Sequence, residues 1–134
     1  MIECLILGDS IAVGTHQFRP ECAVMAKGGI NSRDWNKNWK DAALDAKIVV
    51  ISLGSNDYAG IRTREEIDAL RARVHATHVF WVLPAIKPAV QEIVKTVAAK
   101  HNDTVIGIPK LSADGVHPSW SGYREIAAAT QNKG

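Results

Sequence analysis

Apolar residues along this chain come in short bursts separated by longer mixed segments. Aliphatic-rich runs occur at Ile2 to Leu7, Ala23 to Ala26, Ile48 to Leu53, Val79 to Leu83 and Val105 to Ile108, each of a length suited to a β-strand. Between them the spacing turns helical. Ser32 stands where it would cap a helix running to about Ala46, and Thr63-Arg64-Glu65-Glu66 reads as a capping box ahead of Ile67, Leu70 and Val74. Pro88 suits a first helical turn, after which Val90, Ile93, Val94, Val97 and Ala98 share one face. Tyr123, Ile126, Ala127 and Thr130 repeat that pattern later in the chain. Strand and helix thus alternate, which predicts an α/β fold with a five-stranded parallel sheet covered on both faces. No repeat, low-complexity tract or linker interrupts the alternation, so residues 1–134 read as one domain.

Composition narrows the partners. At 46% hydrophobic and 22% charged, the 134 residues can fill a single core. The formal net charge of +2, from 16 basic and 14 acidic residues, gives no strong field. The basic residues are scattered, without zinc-finger spacing or an aromatic RNA-binding signature, so nucleic acid is not an expected partner. No apolar stretch approaches the length of a membrane span, and no charged-then-apolar leader precedes the first strand in this numbering, which makes the cytoplasm the default location. Cys4 and Cys22 are too few for a disulfide framework. Both lie in apolar surroundings and read as buried free thiols, with a bridge between them as the alternative.

Candidate chemistry collects at the turns that follow the strands. In an open parallel sheet, ligands bind beyond the carboxyl ends of the strands, where the strand order reverses. Ser10, within Gly8-Asp9-Ser10-Ile11-Ala12-Val13-Gly14, follows the first strand; Gly28-Gly29 follows the second; Asn56, within Gly54-Ser55-Asn56-Asp57, the third; and Asp114-Gly115-Val116-His117 the fifth. Acyl transfer needs one of each. A serine hydroxyl is a poor nucleophile until a base takes its proton, a part for His117, and Asp114 could fix the imidazole tautomer. The oxyanion that forms needs donors set in advance. The backbone N–H of Ser10, that of a glycine after the second strand, and the Asn56 side-chain amide could supply them.

These blocks resemble those of the SGNH hydrolases, the GDSL-type esterases and lipases. Gly8-Asp9-Ser10 with Gly14 is similar to the family's first block, Gly54-Ser55-Asn56-Asp57 to its third, and Asp114-Gly115-Val116-His117-Pro118 to its fifth. The resemblance implies a flavodoxin-like, doubly wound three-layer α/β/α fold. It implies a catalytic triad of Ser10, His117 and Asp114, an oxyanion hole of Ser10, a glycine and Asn56, and ester or thioester hydrolysis without a metal or other cofactor. The second block departs from the family pattern, reading Lys27-Gly28-Gly29-Ile30-Asn31-Ser32. Gly29 is the better match for the oxyanion glycine, with Gly28 as the alternative.

Each residue also has a plainer reading. Gly-Asp-Ser and Asp-Gly are common turns, Asn56 could cap a loop, and Asp9 and Asp57 read as local hydrogen-bonding carboxylates. His16, His75, His78 and His101 read as structural or solvated, and Trp35, Trp39 and Trp81 as core or lateral surface. A phosphate-binding loop would need a lysine between Gly8 and Thr15, and the dinucleotide fingerprint is missing after the first strand. No cluster of ligating side chains accompanies His117, so no metal is expected there. A chain this short leaves little room for a lid. That favours a small acyl group, such as acetyl, on a small-molecule or carbohydrate alcohol, with Tyr58 and Trp120 as candidate platforms beside the cleft. A thioesterase or lysophospholipase acting on longer chains, and a non-catalytic carbohydrate-binding module, are the alternatives.

Overall fold

The first strand, buried on both of its faces from Cys4 onward, shows how the layers arise. In a computed structural model describing residues 1–131, Leu5 and Leu7 of β1 (Ile2–Gly8) face one apolar cluster, while Cys4 and Ile6 face another. The chain then runs through α1 (Ser10–Gln17), β2 (Ala23–Ala26), α2 (Ser32–Asn38), β3 (Leu44–Ser52), α3 (Thr63–Arg73), β4 (Val74–Val82), α4 (Pro88–Lys100), β5 (Thr104–Ile106) and α5 (Trp120–Ala129). The five strands pair in parallel in the order β2-β1-β3-β4-β5. This is the flavodoxin-like, doubly wound order, and the reversal that opens a crevice lies between β1 and β3. Trp35 of α2, Ile67 and Leu70 of α3 and Val90, Val94 and Val97 of α4 cover one face of the sheet. Ile11 and Ala12 of α1 and Ile126 of α5 cover the other. Both faces of the central strands are therefore dry, and at roughly 25 cal/mol per Å² of apolar burial this two-sided core is the main stabilising term.

Several elements differ from the sequence expectation, each for a local reason. The helix from Ser32 ends at Asn38 rather than near Ala46, because Leu44-Asp45-Ala46-Lys47 alternates buried and exposed positions and extends β3 against the start of β4. Asn31, not Ser32, caps that helix, its side chain accepting from the Asp34 N–H at 2.8 Å. At the start of α3, Thr63 forms no capping box: its hydroxyl donates to Asp57, and the Glu66 carboxylate accepts from Asn36. The short helix α1 carries no apolar periodicity that would announce it, and its start depends on Asp9, whose carboxylate accepts the Ile11 N–H at 3.0 Å. The helices at Thr63, Pro88 and Tyr123 form where their patterns put them. Of residues 1–134 read as one domain, 132–134 lie outside the described residues.

Cys4 and Cys22 are not free thiols. They form a disulfide, with Cα atoms 4.8 Å apart. Leu5 pairs with Ala23 in the β1–β2 ladder, so the two cysteines occupy the next rung back along neighbouring parallel strands, a separation a bridge can span. Closing a loop of this length, with 18 residues of sequence separation, removes chain entropy from the unfolded state. Reducing the bridge, or substituting both cysteines by alanine, should lower the unfolding free energy by about 3 kcal/mol. Urea denaturation of the bridged and unbridged proteins checks this, and coincident midpoints would contradict it.

Candidate active site

Ser10 is presented by a turn that only glycine can make. Gly8 has φ +139°, and a Cβ there would stand 1.9 Å from the Ser52 carbonyl oxygen of the adjacent strand β3. This close approach lets the Asp9 N–H donate to that carbonyl at 3.0 Å and turns the chain directly into α1. Ser10 becomes the first residue of the helix, where its own N–H needs no helical partner and is free to act as a donor. Gly14, one turn further on, admits Tyr123: a Cβ there would meet the tyrosine ring at 2.4 Å, so α5 packs tightly against α1.

The same packing brings in the segment just before α5. His117 Nε2 lies 2.8 Å from Ser10 Oγ across 107 residues of chain, and His117 Nδ1 lies 2.7 Å from Asp114 Oδ2. A carboxylate only accepts, so Nδ1 carries the ring proton and Nε2 presents its lone pair to the serine. Asp114 is organised by its other oxygen. Its Oδ1 accepts the Val116 N–H at 2.9 Å, the His117 N–H at 2.9 Å and the Ser112 hydroxyl at 2.8 Å. The two backbone donors, then the imidazole and Ser112, hold this carboxyl well below the usual range, so it stays anionic beside the histidine. The imidazole and the carboxylate remain open to solvent, with side chains 40% and 50% exposed.

Two further segments meet Ser10 from the β2 and β3 side. Lys27-Gly28-Gly29-Ile30 forms a tight turn closed by the Ile30 N–H on the Lys27 carbonyl at 3.3 Å. Gly29 adopts φ +77°, and a Cβ there would meet nothing, so a side chain at Gly29 would cost backbone strain alone. A Cβ at Gly28 would instead lie 3.9 Å from the Ser10 Cβ, which puts Gly28 beside the serine. Neither glycine N–H has a backbone partner among the described residues. Asn56 follows β3, and its Nδ2 donates to the Ile30 carbonyl at 3.1 Å, fixing the amide against the glycine turn with its second N–H uncommitted.

Asp57 holds these segments together. Its buried carboxylate accepts the Ser32 N–H at 2.9 Å, the Ser32 hydroxyl at 2.6 Å and the Thr63 hydroxyl at 2.8 Å. Tyr58 is 55% exposed, and its hydroxyl accepts from Arg33 at 2.9 Å. Arg33 and Ser112 were not singled out from the sequence; their only signals were Ser112 two residues before Asp114 and Arg33 after the block-two turn. Trp120 is 62% exposed and meets the ring of Phe18, at the far end of α1 from Ser10, edge to face at 4.9 Å. The structure thus groups Ser10, Gly28, Gly29, Asn56, Asp114 and His117, puts Tyr58 on the Asn56 side, and turns Trp120 toward the outer flank of α1. His16 Nε2 donates to the Cys22 carbonyl, Trp81 is fully buried, and Trp35 is fully buried and stacked on Trp39. Among the described residues, one trio that could hold a metal, Cys4, Glu21 and Cys22, has its sulfurs consumed in the disulfide.

With this geometry in view, likeness to other proteins is informative. No protein-family model matches the chain, and no curated protein matches it by sequence. Solved structures do. A protein assigned as an acylhydrolase from Bacteroides fragilis superposes with a TM-score of 0.68 at 20% identity, over 94% of this chain and 83% of that one. A protein assigned as a GDSL-like lipase from Parabacteroides merdae gives 0.67 at 15% identity, over 95% and 92%. The C-terminal catalytic domain of peptidoglycan O-acetyltransferase A from Streptococcus pneumoniae, solved with a methylsulfonyl adduct, gives 0.62 at 18% identity, over 96% and 92%. The chain therefore has the SGNH hydrolase fold, a three-layer α/β/α architecture.

Asp9, beside the serine, carries an unusual burden. It is 1% exposed, accepts from the Ile11 N–H and the Ser52 hydroxyl, and leaves its second oxygen without a partner. Burial pushes its pKa up to about 6, outweighing those hydrogen bonds. A folded-state pKa above the ordinary 3.8 means that its contribution to stability is greatest below pH 3.8 and is lost as pH rises through about 6, a swing of about 3 kcal/mol. Asp9→Asn, neutral throughout, should flatten the stability profile between pH 4 and 6. Urea unfolding at a series of pH values tests this, and an unchanged slope in the variant would refute it.

Proposed function

We propose that this protein is a serine esterase of the SGNH type that hydrolyses short-acyl esters, with acetyl esters of a carbohydrate alcohol as the favoured substrate class. The observation that carries the reading is the relay from Ser10 Oγ to His117 Nε2 at 2.8 Å and from His117 Nδ1 to Asp114 at 2.7 Å. That is the distance range in which a base takes a proton as its nucleophile attacks. The three structural neighbours act as support by the names they carry, an acylhydrolase, a lipase and an O-acetyltransferase domain.

In this reading Ser10 attacks the ester carbonyl and its proton passes to His117, where Asp114 stabilises the imidazolium. Charge develops on the carbonyl oxygen, and the donors offered to it are the Ser10 N–H, an unpaired N–H of the Gly28-Gly29 turn, with Gly29 the match by sequence and Gly28 the one beside the serine, and the second N–H of Asn56. The imidazolium then protonates the departing alcohol, and water, activated by the same histidine, releases the acid from Ser10. The chemistry needs no cofactor in this scheme. Among the described residues no helix is long and apolar enough to cross a membrane.

Ser10→Ala and His117→Ala should each lower turnover of 4-nitrophenyl acetate by several orders of magnitude, with the double variant little worse than either, because the two act as a unit. Wild-type rates in purified Ser10→Ala protein would refute the assignment. Asn56→Ala should lower kcat about a hundredfold or more with little change in KM, since its N–H matters chiefly when negative charge develops. Full activity in that variant would remove Asn56 from the oxyanion hole. A series of 4-nitrophenyl esters separates the acyl classes: rates falling steeply beyond butyrate support the short-acyl reading, and a maximum at longer chains would replace it with a thioesterase or lysophospholipase.

A further inference from the structure

A cavity of about 510 Å³ opens at Asp57 and Tyr58, the residues that follow Asn56 in the chain. Its walls are Ala59, Ile61, Ala89, Val90 and Ile93, with Tyr58 also contributing. The volume is of the size that small-molecule sites generally have. Two charged residues reach it, Asp57 and Lys87, and they differ in kind. The Asp57 carboxylate is buried, with its three hydrogen bonds directed to Ser32 and Thr63. Lys87 donates to the Asp57 main-chain carbonyl and has no ion pair among the described residues, whereas the nearby Arg33 is paired with Asp34.

An ammonium has three donor directions, and one of them is used here. The contact to the Asp57 carbonyl also fixes the ammonium at the residue that follows Asn56, the candidate oxyanion amide. Filling this cavity with an alkyl chain would strip water from that charge without replacing it, an unfavourable exchange. A carboxylate would replace the lost water with a charge-assisted hydrogen bond. Tyr58, its hydroxyl tied to Arg33, offers a fixed and half-exposed ring on which the apolar face of a sugar can lie.

We infer that this cavity is a subsite for an acidic sugar, with Lys87 binding the sugar carboxylate and Tyr58 the ring face. The inference rests on the esterase reading above for the identity of the reaction, and on the cavity for the identity of the substrate. Lys87 is a specificity residue that selects among esters carried on the same sugar ring.

Two measurements test it. The first compares acetate release from a mono-O-acetyl methyl glucuronoside and the matching methyl glucoside, which differ only at C6. The wild-type protein should favour the acid about 10- to 100-fold in kcat/KM, and Lys87→Gln should bring the ratio to near one, mainly through KM on the acidic ester. Equal rates on the two esters in the wild type, or an equal loss on both in Lys87→Gln, overturns the inference while leaving the esterase reading intact. The second titrates unacetylated methyl glucuronoside into Ser10→Ala protein by calorimetry, where no turnover is needed. Binding about 10- to 100-fold tighter than that of methyl glucoside, lost on Lys87→Gln, supports the subsite even if no ester is hydrolysed. Equal affinity for the two sugars overturns it.

Discussion

The Asp57 carboxylate is the tie on which the β2 and β3 side of the site depends. A carboxylate at 3% exposure is tolerated only where donors surround it, and its donors come from the starts of two helices, Ser32 of α2 and Thr63 of α3. Ser32 lies two residues after Ile30, whose carbonyl orients the Asn56 amide, and Asn56 immediately precedes Asp57. One buried group thus locks the glycine turn, the amide and the entry to two helices into a single arrangement. The opposite half of the site has its own tie. Asp114 holds the turn from Ser112 to His117 with one oxygen and the imidazole with the other. Asp9, bonded to Ser52 at the end of β3, joins the two halves behind the serine.

This division follows from the layers. Helices α1 and α5 cover one face of the sheet and carry the serine and, just ahead of α5, the base. Helices α2, α3 and α4 cover the other face and border Asn56, Tyr58 and the cavity with Lys87. In the proposed reaction, protonation of the departing group would be the task of the first side, and recognition of the rest of the substrate that of the second. The crevice between β1 and β3, where the strand order reverses, is where the two sides meet.

Much of this was legible in the sequence because it depends on local patterns. Short aliphatic runs gave the five strands, and the residues that follow them gave Ser10, the two glycines, Asn56, Asp114 and His117, since a parallel sheet sends every strand end to one edge. What was not legible depended on long-range competition for polar groups. Thr63 and Ser32 carry ordinary capping signals, but the need to satisfy buried Asp57 drew both hydroxyls away from that role. Leu44 to Ala46 lay in a segment read as helix, and only the neighbouring β4 made it a strand. The cysteines looked like isolated apolar residues because nothing in their spacing states the β1–β2 register that sets them on adjacent rungs. Lys87 gave no signal at all, since its importance lies in the absence of a counter-charge, a property of three-dimensional surroundings.

The disulfide also has a consequence for the opposite end of its strands. β2 is an edge strand of four residues with a single neighbour, β1, and none of its side chains is fully buried. Such a strand belongs among the segments that open locally at small cost, well before the core does. Its continuation is the Gly28-Gly29 turn, attached to the ladder through the Lys27 N–H on the Gly8 carbonyl. The covalent staple at the start of β2 therefore holds the strand that leads into this turn to its one neighbour, although it touches none of the candidate site residues.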